Sequence, residues 1–313
     1  MRAGVLRHRR KTPRGRIWAW VCAGAFLAAL PALFGCTTET RVFRIGYMIC
    51  NSLSETRGRF DALTASLSET TGARFDAVYL DTSDVEDAFS RGEIDFAHTN
   101  SLLYITLRQR HGAIVVAAEK RGTYGVRTRG VFVVRKDSGL QGLADLKGKR
   151  VVFGPQWAPF GFLAQYALLL DAGIDPETDL GYYAIPAGSW KHEKVIYSVL
   201  HGEFDAGASP LMDLEEMIAE GRISKDNLEV LAASELAPYC TVSASPRVPG
   251  EWVEKTRRAL LAITPQTTAE AGGERLLVLK RALVDGFEPI SDSEYDPMRQ
   301  WARTAKMPPF QEF

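Results

Sequence analysis

Apolar and polar positions along this chain follow two different periods. The run 42–47 alternates apolar and polar residues, which predicts a strand. In 57–70, Phe60 and Leu63 lie at the spacing of one helix face, which predicts a helix. Segments of these two kinds alternate along most of the sequence. The pattern therefore predicts an α/β fold with largely parallel sheets.

Local start and stop signals predict where several of these elements begin and end. The run Ser83-Asp84-Val85-Glu86 has the form of a capping box, and it predicts a helix that ends at Gly92. Helical spacing near the end of the chain predicts helices over 252–263, 274–284 and 295–305.

Two segments of the chain are alike. Residues 83–97 and 193–208 each show a helical pattern, a glycine stop and a strand with an aspartate near its start. This weak repeat indicates two similar α/β lobes. A crossover near 127–130 and a return near 236–240 would insert the second lobe into the first, with two crossing strands as a hinge. The expected division is lobe 1 over 42–128 and 238–313, with lobe 2 over 129–237.

The first residues have the pattern of an export signal. A basic stretch that includes Arg9 and Arg10 precedes an apolar run over 17–34, which is followed by Gly35 and Cys36. This order predicts a lipoprotein signal peptide over 1–35, lipid on Cys36 and a short tether over 36–41. An uncleaved membrane anchor is the alternative. Both place the rest of the chain outside the cytoplasm, in the periplasm or at the cell surface.

The charge balance changes once the signal is set aside. Residues 1–35 carry seven Lys or Arg and no acid, which leaves 31 basic and 38 acidic residues and a net charge of −7. A mildly acidic exported protein does not favour nucleic acid as a partner. Beyond the signal and the lipid site, Cys50 and Cys240 remain. In an oxidising compartment they either form a disulfide or stay as buried free thiols.

Enzyme motifs are missing from the sequence. His192 and Glu193 open a run that resembles a zinc-protease motif, but the second histidine is absent. There is no nucleophile elbow or P-loop lysine, and the two remaining cysteines lack metal-ligand spacing. We therefore expect a protein that is not an enzyme, with no catalytic residues, no metal and no cofactor.

Several motifs in order resemble the periplasmic solute-binding proteins of ABC transporters, in the phosphate, phosphite and phosphonate group. The resemblance covers about 43–263, and its carriers are Arg44-Ile-Gly-Tyr47, the run 87–95, the run 143–153, His192-Glu193 and the run 199–207. It implies a two-lobed, type II-like periplasmic binding fold. It also implies a small-molecule ligand held between the lobes, an ABC permease as membrane partner, and a monomer.

The ligand positions implied by the resemblance depart from the family pattern. Where the family has hydroxyl residues at the mouth of a helix, this chain has Ala158-Pro159-Phe160-Gly161. Aromatic residues replace those donors, so the expected ligand is less anionic, or its anionic group is held by His192 and other donors. The candidate ligand-binding residues are Tyr47, Asn100, Ser101, Tyr104, Trp157, Ala158, Phe160, Gly161, Trp190 and His192. For each aromatic residue, ordinary core packing is the alternative.

The predicted function is an extracytoplasmic substrate-binding lipoprotein of an ABC transporter. The alternative is a ligand-sensing subunit of a membrane signalling system that uses the same fold.

Overall fold

The computed structural model describes residues 41–186 and 192–311. Its strands are β1 Val42–Met48, β2 Arg74–Leu80, β3 Phe96–Asn100, β4 Ile114–Lys120, β5 Arg127–Thr128, β6 Gly130–Arg135, β7 Arg150–Val152, β8 Tyr182–Ala184, β9 Ala206–Pro210, β10 Leu228–Ala233, β11 Ala237–Pro238, β12 Cys240–Ala244, β13 Thr268–Ala271, β14 Glu274–Leu277 and β15 Gly286–Glu288. Its helices are α1 Leu53–Thr71, α2 Val85–Arg91, α3 Ser101–His111, α4 Ala164–Asp171, α5 Pro176–Asp179, α6 Glu193–Leu200, α7 Leu211–Ala219, α8 Gly250–Leu261, α9 Val278–Ala282 and α10 Asp296–Thr304. A π-helical turn, Pro159–Leu163, leads into α4.

Two larger sheets divide the described residues into two lobes. Lobe 1 is the six-stranded sheet β15-β4-β12-β3-β1-β2 with its helices, and lobe 2 is the five-stranded sheet β10-β6-β9-β7-β8 with its helices. The strands of lobe 1 come from 42–120 and 240–288, and those of lobe 2 from 130–233. β5 and β11 pair antiparallel where the chain passes between the lobes. The predicted α/β, two-lobed fold with two crossing strands is confirmed.

The prediction of largely parallel sheets is wrong for the strands next to the crossings. β1 is parallel to β2 and β3, but β12 is antiparallel to both β3 and β4. In lobe 2, β6 is antiparallel to β9 and β10, whereas β7 is parallel to β8 and β9. The cause is topological: β6 and β12 are each the first strand entered after a crossing, so each runs against the strand beside it.

Strand direction decides which residues meet at the gap between the lobes. In lobe 1, the carboxyl ends of β1, β3 and β4 lie at the same edge as the start of β12. In lobe 2, the carboxyl ends of β7, β8 and β9 share an edge with the start of β6. Loops that follow these strand ends are where α/β sheets bind ligands.

The ends of the helices have local physical causes. Ser52 accepts a hydrogen bond from the Glu55 amide at the start of α1, and Asn100 accepts one from the Leu103 amide at the start of α3. Gly92 ends α2 with a φ of 74°, as predicted for a left-handed helix stop. The capping box predicted for α2 is wrong, because Asp84 occupies the cap position and makes no side-chain capping bond.

The helix predicted over 274–284 is only partly present. Its first half is the strand β14, which pairs with β13 in a hairpin, and only Val278–Ala282 is helical. Gly272 and Gly273 form the turn with φ values of 63° and 81°. Two glycines at positive φ favour a tight hairpin over a helix start, and that signal outweighed the helical spacing.

The two lobes also share an apolar core. It joins residues of α3 in lobe 1 to the π-helical turn and α4 in lobe 2, with α10 packed against both. Its fully buried members include Leu102, Tyr104, Phe160, Leu163, Tyr295 and Met298. One side of the gap between the lobes is therefore filled by packed side chains.

Residues 1–40 lie outside the described part of the chain, and with them the predicted signal peptide and the lipid site at Cys36. Among the residues that are described, every helix is too short or too polar to cross a bilayer.

Candidate functional site

A cavity of about 310 Å³ lies between the two lobes, at the facing edges of their sheets. Its volume is at the small end of the range typical of ligand sites. The residues that line it are Met48, Cys50, Asn51, Glu55, Arg59, Asn100, Arg121, Ala158, Pro159, Phe160, His192, Glu193, Pro210, Asp213, Glu216, Arg222, Tyr239, Cys240 and Leu283.

The wall from lobe 1 is built at the carboxyl ends of its parallel strands. Cys50 and Asn51 follow β1, Asn100 ends β3, and Arg121 follows β4. Arg59 reaches the cavity from the second turn of α1, and its guanidinium donates two hydrogen bonds, of 3.1 and 2.9 Å, to the carbonyl oxygen of Ala282. The two arginines therefore project from different elements toward one space.

Arg121 is held by groups from both lobes. Its guanidinium lies 6.0 Å from the centre of the Tyr239 ring and 3.8 Å from a carboxylate oxygen of Glu216 in lobe 2. Only 22% of its side chain is exposed. A partly buried guanidinium of this kind is a fixed positive charge at any working pH.

Glu119 and His98 form a buried hydrogen bond behind this wall. His98 Nε2 and Glu119 Oε1 are 2.7 Å apart, and both side chains are almost completely buried. Burial raises the pKa of the Glu119 carboxyl, but the His98 imidazole, Arg59 and Arg121 outweigh burial and lower this pKa to about 2. Glu119 therefore stays ionised and contributes a permanent negative charge near the two arginines.

The wall from lobe 2 begins with the π-helical turn after β7. A π-turn at the start of a helix is rare and is frequent at functional sites. Ala158, Pro159 and Phe160 face the cavity from this turn, and His192 faces it from the start of α6. No side chain caps the π-helical turn, in keeping with the loss of the family's hydroxyl residues.

Two glycines make room for His192. A Cβ atom on Gly161 would lie 2.1 Å from the imidazole Cε1, and a Cβ on Gly154 would lie 2.6 Å from the same atom. The imidazole is therefore pressed against bare backbone. Burial lowers the pKa of His192 to about 4, so the ring is neutral in the periplasmic pH range. Its Nδ1 is buried and has no hydrogen-bond partner among the described residues.

Acidic residues face the arginines from lobe 2. Glu193 pairs with Arg222 at 2.6 Å, and Arg222 also contacts Glu220 at 2.7 Å. Asp213, in the first turn of α7, makes no ion pair within 4 Å among the described residues. Burial raises the pKa of Asp213 to about 6, with Glu193 adding to the rise and Arg121 and Arg222 opposing it. Asp213 is thus a carboxylate that faces the cavity, and no basic side chain in 41–186 or 192–311 lies within 4 Å of it.

The structure brings together part of the predicted site. Asn100, Ala158, Phe160 and His192 line the cavity. Asn100 also joins the lobes, because its amide nitrogen donates a 2.9 Å hydrogen bond to the carbonyl oxygen of Trp157. Trp190 lies outside the described residues.

The remaining candidates lie away from the cavity surface, and core packing describes most of them. Tyr47 is fully buried in lobe 1, stacks on Phe60 and hydrogen-bonds to the Thr64 hydroxyl at 2.9 Å. Tyr104 is fully buried in the shared core, where its hydroxyl donates to Asp292 at 2.6 Å.

Three further candidates act through the backbone or by packing. Ser101 is fully buried at the start of α3. The Trp157 side chain packs against the shared core, and its carbonyl oxygen accepts the bond from Asn100. Gly161 serves the site indirectly, through the space that it leaves for His192.

Both cysteines that were candidates for a disulfide are free and line the cavity. Cys240 lies opposite Asn100 on β3, and β3 separates β12 from β1, after which Cys50 follows. Of the two alternatives, free thiols rather than a disulfide describe this structure. Burial raises the pKa of the Cys50 thiol to about 11 and that of Cys240 well above its usual range.

Charged residues are the part of the site that sequence reasoning missed. Arg59, Arg121 and Asp213 belong to no motif, and isolated charges in a sequence are usually on a solvated surface. One signal was present: Arg121 directly follows the apolar strand β4, and the ends of parallel strands converge at one edge.

Metal ligands are not grouped in the part of the chain that the structure describes. No three His, Cys, Asp or Glu side chains there are close enough together to hold a metal ion. The cavity offers guanidinium, carboxylate, amide, imidazole and thiol groups for an organic or inorganic solute.

A family model gives the class of protein that this cavity serves. The model for the phosphonate ABC transporter periplasmic substrate-binding protein matches residues 45–295. The chain belongs to this family. This is a family of periplasmic substrate-binding proteins, a class that binds small solutes.

Two curated relatives differ in what they do. The tetrathionate sensor histidine kinase TtrS of Salmonella typhimurium is 27% identical over 236 residues, which are 70% of this chain and 39% of that protein. The phosphate-import protein PhnD of Mycolicibacterium smegmatis is 23% identical over 260 residues, which are 79% of this chain and 80% of that protein. The chain thus spans well under half of the kinase and most of the import protein.

Solved structures show the same fold. PhnD1 from Prochlorococcus marinus, in complex with methylphosphonate, has a TM-score of 0.66 and 19% identity, over 84% of this chain and 97% of that one. A Xanthomonas citri protein bound to ATP has a TM-score of 0.67 and 19% identity, over 85% and 98%. At these identities the likeness establishes the two-lobed architecture.

Proposed function

We propose that this phosphonate-family protein is the solute receptor of an ABC importer and that its ligand carries both an acidic and a cationic group. The observation behind this proposal is that both signs of charge line the cavity, with Glu55 beside the arginines of lobe 1 and Arg222 beside the acids of lobe 2. Arg59 and Arg121 belong to lobe 1, and Asp213 belongs to lobe 2. An aminoalkylphosphonate has both charges, separated by a short carbon chain.

Arg59 and Arg121 bind the phosphonate group of the ligand. Guanidinium groups bind phosphonate oxygens through paired, charge-assisted hydrogen bonds. They take over the role that hydroxyl residues play elsewhere in the family. Neutral His192 contributes a further hydrogen bond without adding charge.

Asp213 binds the cationic group of the ligand. No basic side chain among the described residues lies within 4 Å of this carboxylate. An ammonium group on the ligand would supply the positive charge beside it. The ligand then contacts lobe 1 through its acid and lobe 2 through its amine. Such a ligand stabilises the closed arrangement of the lobes, because its contacts with both are complete only when they are together.

Thermal shift and calorimetry with two ligands test this proposal. 2-Aminoethylphosphonate should bind at least tenfold more tightly than methylphosphonate at pH 7, since methylphosphonate lacks the amine. Asp213→Asn should reduce that preference to within about twofold. Equal binding of both ligands by the wild type would refute the role of the amine, and binding of neither would refute the phosphonate assignment.

We also propose that the mature protein is a lipoprotein, with lipid on Cys36 and an ABC permease as its membrane partner. Support comes from the order of basic, apolar and small residues before Cys36. Labelling of cells with a palmitate analogue should mark the wild type and leave Cys36→Ala unlabelled. Equal labelling of both would exclude Cys36 as the lipid site, and no labelling of either would favour an uncleaved anchor.

Sensing is the second candidate function, and two observations favour it. The similarity to a tetrathionate sensor kinase covers 70% of this chain. Three sulfur-bearing side chains, Met48, Cys50 and Cys240, line the cavity and suit a polarisable ligand. Tetrathionate belongs in the same thermal-shift series. A melting shift with tetrathionate and none with either phosphonate would favour sensing, as would a kinase gene beside this one in place of permease genes.

A further inference from the structure

A second cavity adjoins the first. This outer groove has a volume of about 470 Å³. It is lined by Arg121, Gly122, Thr123, Met212, Glu215, Glu216, Ala219, Leu279, Lys280, Leu283, Val284 and Asp285. Like the inner cavity, the groove has one wall from lobe 1 and one from α7 of lobe 2.

The two cavities share three lining residues: Arg121, Glu216 and Leu283. The first two form the 3.8 Å ion pair that crosses between the lobes. These three side chains are thus the boundary between the inner cavity and the outer groove.

Leu283 occupies this boundary in an unusual conformation. It follows α9 with a φ of 59° and a ψ of 44°, the left-handed region in which glycine is the ordinary residue. Its side chain is 55% exposed, so burial in a core does not account for it. The carbonyl of Ala282, the preceding residue, accepts both hydrogen bonds from Arg59. Leu283 is thus an exposed leucine in a strained conformation, and a cavity arginine holds the backbone carbonyl just before it. This combination points to a role in ligand contact.

Charged and apolar residues both line the groove, and the apolar ones are Met212, Ala219, Leu279, Leu283 and Val284. Glu215, Glu216 and Asp285 are acidic, and Arg121 and Lys280 are basic. Asp285 already accepts a 2.9 Å hydrogen bond from the Gly122 amide. Such a surface suits a hydroxylated chain, while Leu283 suits the methylene groups that lead to it.

We propose that the outer groove is a subsite for a polar substituent on the ligand, which passes Leu283 from the inner cavity. This proposal rests on the proposed function, since it takes the phosphonate and the amine to lie in the inner cavity. The subsite narrows the proposed ligand class to aminoalkylphosphonates that carry a substituent on the amine, in addition to the unsubstituted ones.

Three ligands and two variants test the subsite by isothermal calorimetry at pH 7. The ligands are methylphosphonate, 2-aminoethylphosphonate and N-(3-hydroxypropyl)-2-aminoethylphosphonate. Ala219→Phe places a ring in the groove, because Ala219 lines the groove and not the inner cavity. Ala172→Phe, at an exposed position outside both cavities, is the matched control.

The wild type and Ala172→Phe should bind the hydroxypropyl ligand at least threefold more tightly than 2-aminoethylphosphonate. Ala219→Phe should remove this gain and leave the affinity for 2-aminoethylphosphonate within twofold. Leu283→Gly keeps the backbone conformation and removes the contact. It should lose most of the gain while its melting temperature stays equal or rises.

Some outcomes would overturn the subsite and leave the proposed function standing. These are equal or weaker binding of the hydroxypropyl ligand than of 2-aminoethylphosphonate by the wild type, or an equal effect of Ala219→Phe on both ligands. If none of the three ligands bound, the proposed function itself would fail, and the subsite with it.

Discussion

Replacement of Asp213 by asparagine tests, through the pH dependence of binding, whether this carboxylate holds the ligand amine. The pKa of Asp213 is raised from 3.8 to about 6. With this pKa, about nine-tenths of the carboxyl is ionised at pH 7 and about one-tenth at pH 5. If an ammonium group binds the ionised form, the wild-type affinity for 2-aminoethylphosphonate should fall about tenfold over this range because of Asp213 alone.

The raised pKa of Asp213 also affects the free energy of unfolding of the ligand-free protein. The folded state holds the Asp213 proton up to about pH 6, whereas the unfolded chain releases it near 3.8. The free energy of unfolding that this group contributes therefore decreases as the pH rises from about 4 to about 6. A shift of about two units corresponds to at most about 3 kcal/mol, reduced by water in the cavity. Asp213→Asn should remove this slope.

Calorimetry and thermal melting of the two proteins at pH 5, 6 and 7 measure both effects. The phosphonate group of the ligand also titrates, but it does so equally with either protein and cancels in their ratio. Glu119, whose pKa is lowered to about 2, contributes stability that is lost only as the pH falls below about 4.5, and it is unchanged by the substitution. An identical pH dependence of affinity in both proteins would refute the placement of the ligand amine at Asp213.

Other substitutions separate the roles of residues in the site and the core. Asn100→Ser keeps a capping oxygen and loses the amide donor to lobe 2, which should cost about 1 kcal/mol of unfolding free energy. Asn100→Ala also loses the cap and should cost about 1 kcal/mol more. Equal losses in urea denaturation would contradict this division. Gly161→Ala should displace His192 and weaken ligand binding at least tenfold by calorimetry, whereas unchanged affinity would show that the imidazole position is unimportant. Tyr47→Phe should lower stability by about 1 kcal/mol and leave ligand affinity unchanged; a loss of affinity would return Tyr47 to the site.

The fold could be predicted from the sequence because its signals are local and repeated. Periodic apolar residues and glycine stops such as Gly92 identify strands and helices, and the alternation of the two identifies the class. Strand direction was harder to predict. It depends on where the chain crosses between lobes, as at β12, and not on the residues within the strand.

The site was harder to predict than the fold, for a physical reason. Tyr47 and Phe60 have the same apolar character whether they contact a ligand or pack against each other. Only their position in the fold tells ligand contact from core packing. Ligand charges come from distant segments: Arg59 and Asp213 are separated by more than 150 residues. Only the convergence of strand ends brings them into one cavity, and that requires the topology.

The apolar core shared by the lobes has a consequence for the kinetics of ligand exchange. Opening the gap between the lobes on that side would expose Phe160 and Leu163 of lobe 2, and Tyr104 of lobe 1, to water. Separation is therefore expected to begin at the outer groove, where the Arg121–Glu216 ion pair joins the lobes. A ligand would leave by a single route at a rate set by the loss of contacts along that groove. The time that a solute remains bound is then determined by the protein's own packing as well as by its affinity for the solute.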